Sequence, residues 1–217
     1  MFSTIHPKAE DYVRSLLDRY DEPVLLEMEE EARRSDFPIV ERAVGVSLEQ
    51  LARAVSARRV FELGSGYGYS GYWFSRAVGP GGELHLTDAD PANRDRAMDY
   101  LGRAGLAGPV VYHVGDALEA LAAVEGEFDI VYCDIDKQGY PDAWAAARER
   151  VRPGGLYVCD NTLWYGRVAG TTDEPDPRPQ LTQAIERHNR AVTADRGYLS
   201  TILPIRDGVL VALRLPG

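Results

Sequence analysis

Apolar residues recur along this chain at two different spacings. Before residue 58 the spacing is helical. Residues 7–20 carry Tyr12, Val13, Leu16 and Leu17 on one stripe behind an early Pro7, residues 22–34 read as a second helix, and Ser47-Leu48-Glu49-Gln50 fits a capping box that opens a third, running to about Ser56. From Arg59 onward the pattern becomes strand, turn, helix, repeated: strands are predicted at 60–63, 83–88, 110–114, 128–134 and 155–160, with helices near 70–78, 91–103, 116–124 and 141–151 between them. Such alternation specifies a parallel sheet covered by helices on both faces. Two further β-rich runs, 198–205 and 209–215, are joined by Arg206-Asp207-Gly208, and Asp-Gly is a hairpin signal. The expected fold is therefore α/β: a seven-stranded mixed sheet of five parallel strands closed by a C-terminal antiparallel hairpin. One domain is expected over residues 1–217, in which 1–57 form an N-terminal helical cap and 58–217 the α/β core.

Composition narrows the partners. At 45% hydrophobic and 27% charged residues the chain is typical of a soluble protein, and no apolar run approaches the roughly 20 residues a membrane helix needs. The start, Met1 to His6, lacks the basic and apolar regions of a signal peptide, so a cytoplasmic location is expected. A formal charge of -10 and a pI near 4.9 argue against a nucleic-acid partner. The acidic run Glu27 to Glu31, interrupted by Met28 and followed by Arg33 and Arg34, reads as a solvated helix face. Cys133 and Cys159 end two predicted strands in a reducing setting and are expected to be buried thiols. His85 and His113 fall inside strands and read as packed side chains, whereas His6 and His188 carry no signal.

Candidate chemistry gathers at the strand ends, where open α/β sheets bind ligands. Glu62-Leu63-Gly64-Ser65-Gly66-Tyr67-Gly68-Tyr69-Ser70 follows the first strand and opens a helix, a Rossmann-like turn in which glycines bring a ligand against peptide N–H groups. Gly66-x-Gly68-x-x-Gly71 with Asp88 downstream matches a dinucleotide fingerprint. Glu62 at the turn would repel phosphates but accept an amino group, and no Tyr-x-x-x-Lys pair serves hydride chemistry. Both details favour S-adenosylmethionine (SAM), with Asp88 on the ribose and Gly115-Asp116-Ala117 against adenine.

A second constellation lies at the fourth and fifth strand ends. If these strands are neighbours, Asp134 and Asp160 close on one cation and Asn161 adds a third oxygen, a hard-donor set suited to Mg²⁺ first and to Mn²⁺ or Ca²⁺ as alternatives. Cys133 and Cys159, one residue earlier, face the other way, which argues against zinc thiolate ligation. Of 24 basic residues only Lys8 and Lys137 are lysine. A lysine, unlike arginine, can be deprotonated near neutral pH. Trp164 and Tyr165 begin a long loop, Gly166 to Pro179, and read equally as an aromatic lid or as a core edge.

These motifs resemble the cation-dependent class I O-methyltransferases, the family of catechol and caffeoyl-coenzyme A O-methyltransferases. The likeness covers roughly 36–215 and is most specific at Glu62 to Ser70, at Asp134-x-Asp136-Lys137 with Tyr140, at Asp160 to Trp164 with Gly166-Arg167-Val168, and in the tail Leu203 to Gly208. It implies that Val40, Glu62, Gly64, Ser70, Asp88, Asp116, Ala117 and Asp134 line a SAM site, that Asp134, Asp160 and Asn161 bind the divalent metal, and that Lys137 is the general base, whose pKa must fall toward neutrality, as a nearby divalent cation and partial burial can produce. It further implies a small aromatic hydroxyl acceptor of catechol or caffeoyl type and a homodimer. Arg206 stands where many relatives carry a smaller residue. Methylation of a hydroxyuridine in tRNA, a non-catalytic nucleotide-binding dimer and an NAD-dependent oxidoreductase are the competing readings.

Overall fold

The computed structural model describes residues 6–172 and 175–217; the first five residues of the start and residues 173–174 of the long loop lie outside the described residues. Helices α1 (Pro7–Ser15), α2 (Pro23–Ser35) and α3 (Glu41–Ala54) precede the sheet. The core then alternates β1 (Arg59–Leu63), α4 (Tyr69–Val78), β2 (Glu83–Asp88), α5 (Pro91–Arg103), β3 (Val110–Val114), α6 (Ala117–Ala123), β4 (Phe128–Cys133), α7 (Tyr140–Ala147), β5 (Val151–Cys159), α8 (Pro179–Ala194), β6 (Tyr198–Leu203) and β7 (Val209–Arg214). The sheet has seven strands in the order β3-β2-β1-β4-β5-β7-β6. Strands β1 to β5 pair in parallel, and β7 pairs antiparallel with both β5 and β6. The expected mixed sheet is thus the observed one.

Strand alternation divides the core between the two faces. Val60, Ile130, Tyr132 and Val158 pack under Met28, Val44, Leu48, Trp73 and Leu101 from α2 to α5. Phe61, Val131, Cys133, Tyr157 and Cys159 pack on the other side with Tyr140, Trp144 and Ile185 from α7 and α8. Cys133 and Cys159 are free, buried and paired in register across β4 and β5, as the alternation predicts.

Several boundaries differ from the pattern reading. Helix α3 starts at Glu41, not Ser47; Ser47 sits mid-helix, where its hydroxyl donates to the Ala43 carbonyl at 2.8 Å. The earlier start is possible because Gly45 is a packing site rather than a breaker: a Cβ there would lie 2.1 Å from Trp73 Nε1. Helix α1 ends at Ser15 and is followed by a 3₁₀ turn at Asp18–Tyr20. Helix α7 ends at Ala147, and β5 already begins at Val151, running through an irregular register opposite Phe128 and Ile130. Helix α8 was not supplied by the pattern at all. The acidic run is also more than a solvated face: Glu29 is held by Arg42 at 2.8 Å and accepts from Tyr69 at 2.7 Å, Glu31 pairs with Arg96 at 2.6 Å, and Glu27 with Arg103 at 2.7 Å, tying α2 to α3, α4 and α5.

Candidate active site

A cavity of about 1650 Å³ opens at the carboxyl ends of β1 to β5, beside the point between β1 and β4 where strand order reverses. Its wall includes Val40, Gly64, Ser70, Asp88, Asp116, Ala117, Asp134, Lys137, Asp160 and Asn161, so the sheet brings together all but one of the predicted site residues. The exception is Glu62, which is fully buried behind the wall and accepts a hydrogen bond from the Ser70 hydroxyl. Its second oxygen has no hydrogen-bond partner among the described residues. Burial, reinforced by the charge of Asp134 and opposed by Ser70, pushes the Glu62 carboxyl up to about 8.

Each element end presents its residue for a local reason. Gly64 turns the chain out of β1 at φ +82°, and a Cβ there would lie 2.6 Å from the Asp134 carbonyl oxygen, so only glycine lets the first and fourth strand ends approach. Asp88 closes β2 and accepts from the Asp90 amide at 2.8 Å and from Asn93 at 2.9 Å through one oxygen. Asp116 is the N-cap of α6 and accepts from the amides of Leu118 and Glu119, both at 2.9 Å. Val40 is buried just before α3.

At the other end of the cavity β4 and β5 are neighbours, as the metal reading requires. The Asp134 amide donates to Leu63 at 2.9 Å and the Asp160 amide to Cys133 at 3.1 Å, which carries the ladder to the last residue before each carboxylate. Lys137 Nζ donates to Asp134 Oδ1 at 2.8 Å and to the Ile135 carbonyl at 3.3 Å. Burial opposes the ammonium, but the charges of Asp134 and Asp160 outweigh it and hold the Lys137 pKa above the usual lysine range. A carboxylate at hydrogen-bond distance keeps the proton on, so a fall toward neutrality rests on the divalent cation that would draw Asp134 away. Asp160 is buried, and burial together with the Asp134 charge pushes its carboxyl up to about 7. Asp136 is exposed and stands outside the cluster, although it borders the cavity.

Among the described residues no group of three His, Cys, Asp or Glu side chains could hold a metal ion. The predicted set is instead two carboxylates and an amide. Its chemistry fits a hard cation: Asp134 and Asp160 repel one another across the wall, and Lys137, the Asn161 backbone amide and Arg206 offset them only in part.

Backbone strain concentrates here. Asn161, Trp164, Tyr165 and Arg206 have φ of 51°, 50°, 55° and 50°, costly for non-glycine residues and held by the surrounding structure. Asp207, which sequence reasoning did not select, accepts the Tyr165 amide at 2.6 Å, and burial pushes its carboxyl up to about 6. Arg206 pairs with Glu41 at 2.9 Å and joins the hairpin turn to the start of α3. Trp164 is buried and borders both the second core layer and the cavity, while Tyr165 is 47% exposed. His85 and His113 are packed as expected, hydrogen-bonded to each other at 2.9 Å and stacked near Phe61.

Fold and site together define a Rossmann-like α/β protein of the methyltransferase kind. TomG from Streptomyces achromogenes, an O-methyltransferase involved in tomaymycin synthesis and solved in complex with SAM, superposes with a TM-score of 0.83 at 30% identity, over 96% of each chain. The O-methyltransferase from Bacillus cereus in complex with SAH superposes with a TM-score of 0.80 at 26% identity, over 94% of this chain and 97% of that one. In sequence, the catechol O-methyltransferase of Niastella koreensis is 30% identical over 224 residues, spanning 98% of this chain and 99% of that protein. The family described as O-methyltransferase matches residues 17–215, and the chain belongs to that family. It is a SAM-dependent O-methyltransferase. Among the described residues no helix is long and apolar enough to cross a membrane.

Proposed function

We propose that this chain methylates a hydroxyl of a small catechol-like or caffeoyl-type aromatic acceptor in the cytoplasm, in a reaction that depends on a divalent metal ion, Mg²⁺ foremost. The observation that carries the reading is the contact of Lys137 with Asp134 at 2.8 Å in the same cavity wall as Asp160 and Asn161. The names of two relatives point the same way: the Niastella koreensis catechol enzyme, and Caffeoyl-CoA O-methyltransferase 1 of Eucalyptus globulus, 28% identical over 178 residues that span 79% of this chain and 72% of that one.

In this reading Val40, Gly64, Ser70, Asp88, Asp116, Ala117 and Asp134 hold the cofactor, and Glu62 acts from behind by fixing the Ser70 hydroxyl. SAM supplies the methyl group on its sulfonium. Asp134, Asp160 and Asn161 would hold the metal ion, which when bound supplies positive charge that lowers the pKa of an acceptor hydroxyl and relieves the two carboxylates. Once Asp134 no longer holds its ammonium, Lys137 would release its own proton to water, and the free amine would accept the proton of the acceptor hydroxyl. Trp164 offers a flat apolar wall to an aromatic ring. The exposed apolar residues Tyr12 on α1 and Leu16 just after it support the homodimer as part of the proposal.

Methyl transfer from labelled SAM onto a panel of catechols, a caffeoyl thioester and bulk tRNA, with Mg²⁺ or after thorough chelation, tests the reading. Transfer to a diphenol that stops on chelation is expected. Activity that survives chelation removes the metal, and transfer to tRNA alone replaces the acceptor.

A further inference from the structure

Resting on that reading of the cavity, we infer that the acceptor carries a carboxylate and that Arg178 receives it. Five arginines border the cavity: Arg14, Arg33, Arg42, Arg178 and Arg206. Four of them face an acid. Arg14 lies 3.8 Å from Glu10, Arg33 2.6 Å from Glu30, Arg42 2.8 Å from Glu29 and Arg206 2.9 Å from Glu41. Arg178 has no carboxylate within ion-pair distance among the described residues. The nearest acid in sequence, Asp176, feels the Arg178 charge but directs its oxygens elsewhere: one accepts the Arg178 backbone amide at 2.9 Å and lies 3.8 Å from Arg167, and the other accepts the Thr182 hydroxyl at 2.5 Å.

The position of this cation is set by Trp164. Its guanidinium carbon sits 5.4 Å from the centroid of the Trp164 ring, a cation–π contact that orients the planar group without satisfying its five N–H donors. Trp164 lies four residues beyond Asp160 and is held at φ 50°, so Arg178 stands at the acceptor end, away from Asp88 and Asp116 at the cofactor end. A planar fork of donors matches a carboxylate in two-point contact. In a chain of net charge -10, an anionic acceptor meets general repulsion, and Arg178, the cavity arginine with no carboxylate at ion-pair distance among the described residues, is where that repulsion is locally reversed. The acceptor class is therefore an ortho-diphenol whose ring bears an acid group on the side remote from the reacting hydroxyl.

The test titrates the full chain, with Mg²⁺ and S-adenosylhomocysteine, against 3,4-dihydroxybenzoate and its neutral counterpart 3,4-dihydroxybenzyl alcohol by calorimetry. The benzoate is expected to bind at least about tenfold more tightly, as one charge-assisted contact at a partly solvated site provides. Arg178→Gln is expected to bring the ratio near one and Arg178→Lys to keep part of it, while Arg190→Gln, which removes the same charge from an exposed position on α8, leaves the ratio in place. Equal affinities in the unmodified protein, no measurable benzoate binding, or a preference that survives Arg178→Gln overturns the inference. The same compounds in the methyl-transfer assay separate the two readings. Benzoate binding through Arg178 without transfer to any diphenol refutes the proposed reaction and leaves the anion site standing; efficient transfer to the neutral diphenol without preference for the acid refutes the anion site alone.

Discussion

Acidification should weaken the fold through His188, a residue fully buried in α8. Asn189 donates through Nδ2 to the Thr162 carbonyl at 2.8 Å, so its Oδ1 faces His188 Nδ1 at 3.1 Å and takes the imidazole N–H. The other ring nitrogen, Nε2, then accepts from the Tyr157 hydroxyl at 3.0 Å. A neutral ring satisfies this network, whereas burial penalises the cation and lowers the His188 pKa to about 4, the contact with Asn189 opposing only in part. An unfolded histidine titrates near 6.5. Between these two values the unfolded chain binds the extra proton, so stability rises with pH across the window. The contribution is fully present above about pH 6.5 and lost as pH falls through about 4. A gap of about 2.5 units corresponds to about 3 kcal/mol in total, of which about 2 kcal/mol is lost by pH 5. Urea unfolding of the unmodified chain and of His188→Gln at pH 7.5 and pH 5 isolates this group, because the buried carboxylates cancel in the double difference. The gap between the two proteins should shrink by about 2 kcal/mol on acidification. A gap that stays within about 0.5 kcal/mol would show that His188 titrates normally in the fold and would refute the reasoning.

Three further outcomes are expected. Lys137→Ala should leave SAM binding nearly intact by calorimetry while cutting turnover at least about a hundredfold; unchanged turnover would remove the base. Gly45→Ala puts a Cβ 2.1 Å from Trp73 Nε1, and crowding in a packed core outweighs the gain in helix propensity, so a net loss of about 2 kcal/mol and a fall in Tm of about 4–8 °C are expected by calorimetric scanning. Gly64→Ala meets the Asp134 carbonyl at 2.6 Å in a left-handed backbone, so SAM affinity and turnover should fall together, and retention of both would show that this strand end can yield.

The local pattern of the chain was enough to determine the alternation of strands and helices, the closing hairpin and the acids at successive strand ends, because alternation and turn chemistry are written in neighbouring residues. Residue identity alone also marked Lys137 as unusual and the two cysteines as core. Tertiary structure decided what those residues do to one another. That β4 lies between β1 and β5 puts Asp134 against both Gly64 and Asp160, and this depends on pairing across long stretches of chain. The contact of Lys137 with Asp134 holds the lysine's proton in place, so that its release rests on a cation that draws Asp134 away, and the burial of Glu62 moved it from the cavity wall to a support behind Ser70. Helix α3 begins six residues earlier than its capping box suggested because Trp73 packs onto Gly45, a contact invisible at either position in sequence. The same holds for charge. Composition sets the net value, but only packing leaves one cavity arginine, among the described residues, with no carboxylate at ion-pair distance while its neighbours have one, because ion pairs form between elements whose mutual placement no local spacing encodes.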